Sequence, residues 1–278
     1  MPNLRVVLLT GDAPQHCRVA RALAKTGLLD AIVIDEGVPR TWIERLRAGR
    51  RRFGAVQLVQ RIAWRTMRKA LGRSAAERAA ITAILGEARM PSDVPVYRVS
   101  GVNSRPTREL LTDLAPDILC VYGTSIVKDP TLSIAKSTAL NMHTGISPRY
   151  RGADCAFWPL HENEPGWLGA TVHECTSAID GGAIFGTAHA VLESSDGVAA
   201  VFARCVAVGA DLYASVLQQV VDGTATGRPQ DLSDGREFRA SMRTWRAELR
   251  VERAIAKGLV RDFVAGRQLA ARPRSGDD

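Results

Sequence analysis

An α/β fold, a mostly parallel sheet flanked by helices, is what the sequence predicts, and three observations carry that reading. The chain opens as strand, helix, strand. Short aliphatic runs ending at glycine recur further on, and segments with helical spacing fill the intervals between them.

The first run, "RVVLLT" from Arg5 to Thr10, stops at Gly11. "CRVARALAKTG" then places Val19, Leu23 and Ala24 at helical spacing before Gly27, and "DAIVIDEG" reads as a second strand. From Arg40 to Arg89 the pattern becomes helical and basic. Val59, Ile62, Ala63, Ala70 and Leu71 fall near one face there, with Arg61, Arg65, Arg68 and Lys69 mostly off it. Strand patterning returns in "DVPVYRVS". "SRPTRELLTDLAP" is a helix stopped at Pro116, "DILCVYG" a buried strand closed by Gly123, and "TALNMHT" another short strand. "LGATVHECTSAIDGGAIFGTAHAVL" alternates as two strands about a turn at Asp180, Gly181 and Gly182, and "DGVAAVFARCVAVGADLYASVLQQVVDG" is a long apolar helix. Two basic helices and a polar tail follow Ser233. The expected organisation is an α/β domain over 1–232, with a helical insertion at about 40–90, and a helical appendage over 233–278.

Composition narrows the function classes. In 278 residues, 46% are hydrophobic and 24% charged, as in an ordinary globular protein. No run approaches the ~18 uninterrupted apolar residues that a membrane span needs. The start of the chain does not read as a secretory signal. The five cysteines show no Cys-x-x-Cys pair, which fits a reducing compartment and small buried side chains. The expected location is the cytoplasm. The net charge of +8 sits largely in the insertion, where the simplest reading is a solvated helix face.

The segment Asn141 to Phe185 gathers three of the five histidines, two of the five cysteines and an Asp-Gly-Gly turn. Neither His161-Glu162 nor His173-Glu174 is followed by a second histidine at zinc-binding spacing, and no metal is expected. A Gly-x-Ser-x-Gly elbow and a glycine-rich phosphate loop are both absent, although Thr10, Gly11 and Asp12 end a strand before a helix and are candidates for an anionic part of a substrate. Asn141 and His143, two apart on a strand, point to the same side. An amide and an imidazole so placed can hold a developing oxyanion, and a carboxylate such as Asp180 can orient the imidazole and take up a proton. His16, His161 and His189 read as structural or surface residues, and Trp158 as core.

These pieces resemble the folate-dependent formyltransferase family. Its signature of Asn-x-His, a Pro-x-Tyr-x-Gly loop, Gly-x-Thr/Ser-Val-His and Asp-x-Gly is matched in order by "NMHTGISPRYRG", "GATVH" and "IDGGAI". The resemblance implies a Rossmann-like fold and a catalytic triad of Asn141, His143 and Asp180, with His173 beside it. It implies a cofactor site for 10-formyltetrahydrofolate walled by Gly123, Thr124, Ser125, Ile126 and Val127 and by Thr176, Ser177 and Ala178. It also places Tyr150, Arg151 and Gly152 near the acceptor. Ser147 stands where the family loop has an apolar residue. The implied reaction is formyl transfer to a primary amine of a small-molecule acceptor, an amino sugar or biosynthetic amine, including nucleotide-linked ones. Members acting on tRNA carry a C-terminal β-barrel, whereas helices follow Leu192 here, which argues against nucleic acid as partner. Two alternatives are a 10-formyltetrahydrofolate hydrolase and a non-catalytic nucleic-acid or membrane-surface binder. The basic insertion is expected not to be catalytic.

Overall fold

The computed structural model describes residues 4–39, 41–176 and 178–271. In chain order, β1 (Val6–Thr10), α1 (Pro14–Ala24) and β2 (Leu29–Asp35) form the opening unit. The insertion is three helices, α2 (Trp42–Phe53), α3 (Ala55–Ala70) and α4 (Arg73–Leu85). Next come β3 (Val96–Val99), α5 (Arg105–Leu114), β4 (Ile118–Tyr122), the short α6 (Asp129–Leu132) and β5 (Thr138–His143). Then follow β6 (Tyr150–Gly152), α7 (Trp158–His161), β7 (Gly169–Glu174), β8 (Ile184–His189) and α8 (Val198–Val221). β9 (Arg236–Phe238), α9 (Trp245–Ala256) and α10 (Leu259–Ala271) close the described chain.

The main sheet has the order β3-β2-β1-β4-β5-β7-β8. The strands from β3 across to β5 run parallel, β7 joins antiparallel to β5, and β8 joins antiparallel to β7. Strand alternation divides the core between the two faces. Val6 and Leu8 of β1 belong to the cluster shared with α1, α4 and α8, while Val7 and Leu9 belong to the one that reaches Leu111 of α5. Ser104 caps α5 by accepting from the Thr107 N–H, the end that its sequence marks.

α8 is long and apolar enough, by length and composition alone, to cross a membrane. Its buried Val206, Ala210, Tyr213 and Leu217 lie in the sheet core, and the Tyr213 hydroxyl donates to the Leu140 carbonyl at 2.7 Å while accepting from the Val121 N–H at 2.9 Å. This fastens the helix to the middle of the sheet.

Two features depart from the sequence reading. The segment after Ser233 is not wholly helical: β9 pairs in parallel with β6, Gly152 opposite Phe238, and Phe238 is buried in a second core with Tyr150 and Trp158. Three-residue strands leave too short an alternation to be read from sequence. The insertion is also turned over. Val59, Ile62, Ala63, Ala70 and Leu71 are exposed, while Arg61 and Arg68, expected in a solvated charge run, are half-buried toward α9 with Gln57 and Trp64. Polar contacts explain the reversal. Arg61 donates to the Arg243 carbonyl at 2.6 Å, Trp64 Nε1 to Glu248, and Arg68 pairs with Glu77 and Glu252.

Candidate active site

β5 ends at His143, and the antiparallel β7 lies beside it with His173 opposite Asn141. Paired residues share a face of the sheet, so both side chains emerge together. The chain returns to the same edge at Asp180, which takes up a left-handed conformation (φ 47°) in the turn before β8. Gly182 has to be glycine, because a Cβ there would stand 2.0 Å from the Glu174 carbonyl oxygen. Gln230 braces the turn by donating to the Asp180 and Gly182 carbonyls.

The result is a compact cluster. Asp180 Oδ2 lies 3.3 Å from His143 Nδ1 and accepts the Gly152 N–H at 2.7 Å, while Oδ1 lies 3.4 Å from His173 Nε2. His173 Nδ1 lies 2.8 Å from the Glu174 carbonyl, and its Nε2 stands between Asn141 Nδ2 at 3.2 Å and Asp180 Oδ1 at 3.4 Å, accepting from the amide when neutral and donating to the carboxylate when protonated. Either way Asn141 keeps an amide hydrogen for a ligand. His143 Nε2 meets the Tyr150 carbonyl at 3.0 Å. Facing a carbonyl on one side and a carboxylate on the other, only the imidazolium donates to both.

Electrostatics oppose that state with burial. Desolvation lowers the His143 pKa, Asp180 pulls it back up, and His173 adds to the lowering. Burial alone would raise the Asp180 carboxyl. His143, His173 and the Gly152 N–H outweigh it and hold the group well below the usual carboxylate range. The cluster therefore joins a firmly ionised carboxylate to an imidazole that burial biases toward its neutral form. Burial pushes the Cys175 thiol up to about 12, and Cys155 is also well above its ordinary value, so neither supplies a thiolate. Among the described residues no group of three His, Cys, Asp or Glu is arranged to hold a metal ion.

The cluster forms part of the lining of a cleft of about 980 Å³. Gly123, Thr124, Ser125, Ile126, Val127, Thr176 and Ala178 line it, as do Asn141, His143, His173 and Asp180. Ser177 lies outside the described residues. Of the loop at Tyr150, Arg151 and Gly152, only Gly152 lines the cleft. The Tyr150 hydroxyl donates to Glu164 at 2.6 Å, and buried Arg151 donates to the Pro148 and Leu232 carbonyls, both at 3.3 Å.

Thr10, Gly11 and Asp12 are not brought to this cleft. The Thr10 hydroxyl donates to the Tyr122 carbonyl at 2.9 Å, and Asp12 pairs with Arg98 at 3.2 Å. The His16 ring fills the crevice between β1 and β4, so close that a Cβ on Gly11 or Gly123 would lie 2.7 Å or 2.3 Å from it. The usual binding crevice of such sheets, where strand order reverses, is thus plugged by a side chain, and the open site lies farther along, past β4 and β5.

Several lining residues carried no signal in the sequence. Asn103 comes from a loop, Leu132 from the end of α6, and Glu237 to Ser241 from the β9 segment. Arg52, at the end of α2, also lines the cleft, so the insertion contributes one residue to its wall. Gln57 donates to the Ser241 carbonyl, so α3 and the β9 segment are tied together on that side. Gly145 is a further requirement, since a Cβ there would meet His143 Nε2 and Cys155 Cβ at 2.5 Å. Its only sequence signal is its place two residues after His143.

Known proteins agree with this architecture. The methionyl-tRNA formyltransferase of Lacticaseibacillus casei is 31% identical over 147 residues, covering 52% of this chain and 46% of that protein. The chain thus spans about half the length of the curated relatives it matches. A sugar N-formyltransferase from a Shewanella species superposes with a TM-score of 0.56 at 13% identity, over 90% of this chain and 87% of that one. An N-formyltransferase of Helicobacter canadensis, solved with folinic acid and dTDP-3-aminofucose, gives 0.51 at 13% identity, over 84% and 70%. At such identities the superpositions establish the fold. The sequence profile described as formyl transferase matches residues 42–217, more than half of the chain, and spans every residue of the Asn141, His143, His173 and Asp180 cluster. The chain belongs to the formyl transferase family.

Proposed function

We propose that the protein transfers a formyl group from 10-formyltetrahydrofolate to a primary amine on a small acceptor. The observation that carries the reading is the joining of Asp180 to both His143 and His173 within 3.4 Å, with Asn141 held alongside by His173. The cleft wall built from 121–127, Leu132 and 175–179 supports the donor assignment. Its described residues carry no charged side chain and combine apolar Ile126, Val127, Leu132 and Ile179 with loop backbone, as a flat heterocycle with amide-like edges requires.

When bound, the donor supplies a formyl carbonyl on a nitrogen that leaves as an amine. The free N–H of Asn141 binds the carbonyl oxygen as negative charge grows on it. His143 adds a second donor once Nε2 turns from the Tyr150 carbonyl, and Asp180 stabilises its positive charge. Asp180 also lies where it can receive the proton of the attacking amine, directly or through water. As the new carbon–nitrogen bond forms and the old one breaks, that proton goes to the leaving nitrogen. Neutral His173 positions Asn141, because its Nε2 then presents an acceptor to the amide.

For the acceptor we favour an amine that carries phosphate, such as a nucleotide-linked amino sugar. Arg52 and Arg239 also line the cleft, and both are exposed enough to meet an anion. The bound dTDP-3-aminofucose of the Helicobacter canadensis protein is of the same chemical class. The test incubates the purified chain with 10-formyltetrahydrofolate and a panel of phosphorylated and neutral amines, following tetrahydrofolate release by absorbance and the acceptor by mass. Tetrahydrofolate released with one formyl group added to an amine supports the reading. Release of formate with no amine product contradicts it.

A further inference from the structure

The α2–α3 pair is amphipathic in the reverse sense for a helix packed on a protein. α3 turns Gln57, Arg61, Trp64 and Arg68 to the body, at steps of four, three and four residues. Its opposite stripe, Val56, Val59, Ala63 and Met67, faces solvent, with Val56 73% and Val59 66% exposed. α2 leaves Trp42 73% and Leu46 50% exposed, and has no buried residue. Interspersed are Arg45, Arg47, Arg50, Arg51, Arg65 and Lys69, none of which makes an ion pair within the described residues. Residues 41–71 hold nine arginines and lysines against Glu44, a net +8 equal to that of the entire chain.

Exposed apolar side chains with a concentrated positive charge restrict what covers this face. A second copy would set these six unpaired cations against the same six. A nucleic-acid backbone would satisfy the arginines and leave Val56, Val59 and Met67 without a partner. An anionic lipid surface satisfies both, since headgroup phosphates meet the arginines while the short apolar side chains and Trp42 enter the boundary with the acyl region. We propose that the α2–α3 insertion is a peripheral docking surface for anionic membranes. The pair lies flat on the surface, packed on itself where Leu58 meets Gly49. Because Arg52 at the end of α2 also lines the cleft, docking holds the cleft mouth close to the bilayer. The proposal does not depend on the formyl-transfer reading.

The test is co-sedimentation of the full chain with vesicles of phosphatidylcholine, alone or mixed with phosphatidylglycerol. Binding is expected only to the mixed vesicles, and it should weaken as salt is raised. A Val56→Asp/Val59→Asp variant, and separately an Arg50→Gln/Arg51→Gln/Arg65→Gln variant, should each bind more than about tenfold more weakly. All these positions are exposed, so thermal melting should match the parent, and turnover in solution on any accepted amine should not change. Failure to bind mixed vesicles would overturn the proposal. So would binding of duplex RNA that removing the arginines abolishes and the valine variant leaves intact, or a stable dimer in sedimentation equilibrium that the valine variant dissociates.

Discussion

His143 Nδ1 and Asp180 Oδ2 stand 3.3 Å apart, although one ends β5 and the other sits in the turn between β7 and β8. Around this pair His173, Asn141 and the Gly152 N–H are arranged with few alternatives. The carboxylate is nearly out of solvent and is held ionised by its neighbours.

The first consequence is a pH dependence of stability. The Asp180 carboxyl is depressed in the fold relative to about 3.9 in an unfolded chain, so it contributes stability above that value and loses it as the folded group is protonated in acid. Asp180→Asn lacks this contribution while tolerating the same left-handed turn. Urea midpoints should therefore differ most between parent and variant near neutral pH. The difference should shrink as pH falls below about 4; one that widens in acid would contradict the assigned direction.

Gly152→Ala should damage both fold and site. Gly152 has φ 91°, and an added Cβ would lie 2.3 Å from the Phe238 carbonyl oxygen, inside the β6–β9 pairing. Backbone cannot move aside as a side-chain tip can, so a destabilisation of about 1–3 kcal/mol is expected. The Gly152 N–H would shift from Asp180 as well. Chemical denaturation and a turnover assay check both effects.

Arg52→Gln and Arg239→Gln separate binding from chemistry. Both side chains line the cleft without belonging to the His143–Asp180 cluster. For a phosphate-bearing amine, KM should rise about tenfold or more with kcat little changed, the pattern of lost uniform binding. For a neutral amine, neither constant should move. Equal effects on both acceptors would remove the anion-binding role.

Ser147→Ala should be neutral or stabilising by up to about 1 kcal/mol. The side chain is 5% exposed, its Oγ has no hydrogen-bond partner among the described residues, and the loop is held instead by the Ser147 N–H donating to Thr171 Oγ1. A loss of stability in thermal melting would mean that the hydroxyl is partnered in solution.

The middle of the sheet was legible because β1 and β4 are buried on both faces. Val6 to Thr10 and Ile118 to Tyr122 read as uninterrupted apolar runs closed by glycine. Asn141 and His143 were legible through strand spacing, and Asp180 through its turn. The insertion misled because its apolar stripe follows helical spacing as a core face does, and nothing local states that Arg61 and Arg68 find carbonyls and carboxylates in α9 and its approach. The strand at Thr10 pointed to a binding crevice, yet His16 fills that space, a long-range packing fact that no local pattern encodes. Phe238 and Arg239 reach the cleft through a three-residue strand pairing too short to announce itself.

The most direct test of the proposed chemistry measures folate-analogue binding and single-turnover formyl transfer on one preparation of Asp180→Asn. An amide of the same shape keeps the turn but neither stabilises the His143 imidazolium nor accepts the amine proton, a role worth about 10² to 10⁴ in rate. The expected result is analogue affinity close to the parent, because the 121–127 wall is untouched, with transfer reduced at least a hundredfold, in line with that range. A variant that retains more than about a tenth of parental turnover, on the same scale of general acid–base effects, would reduce Asp180 to a turn residue and contradict the account.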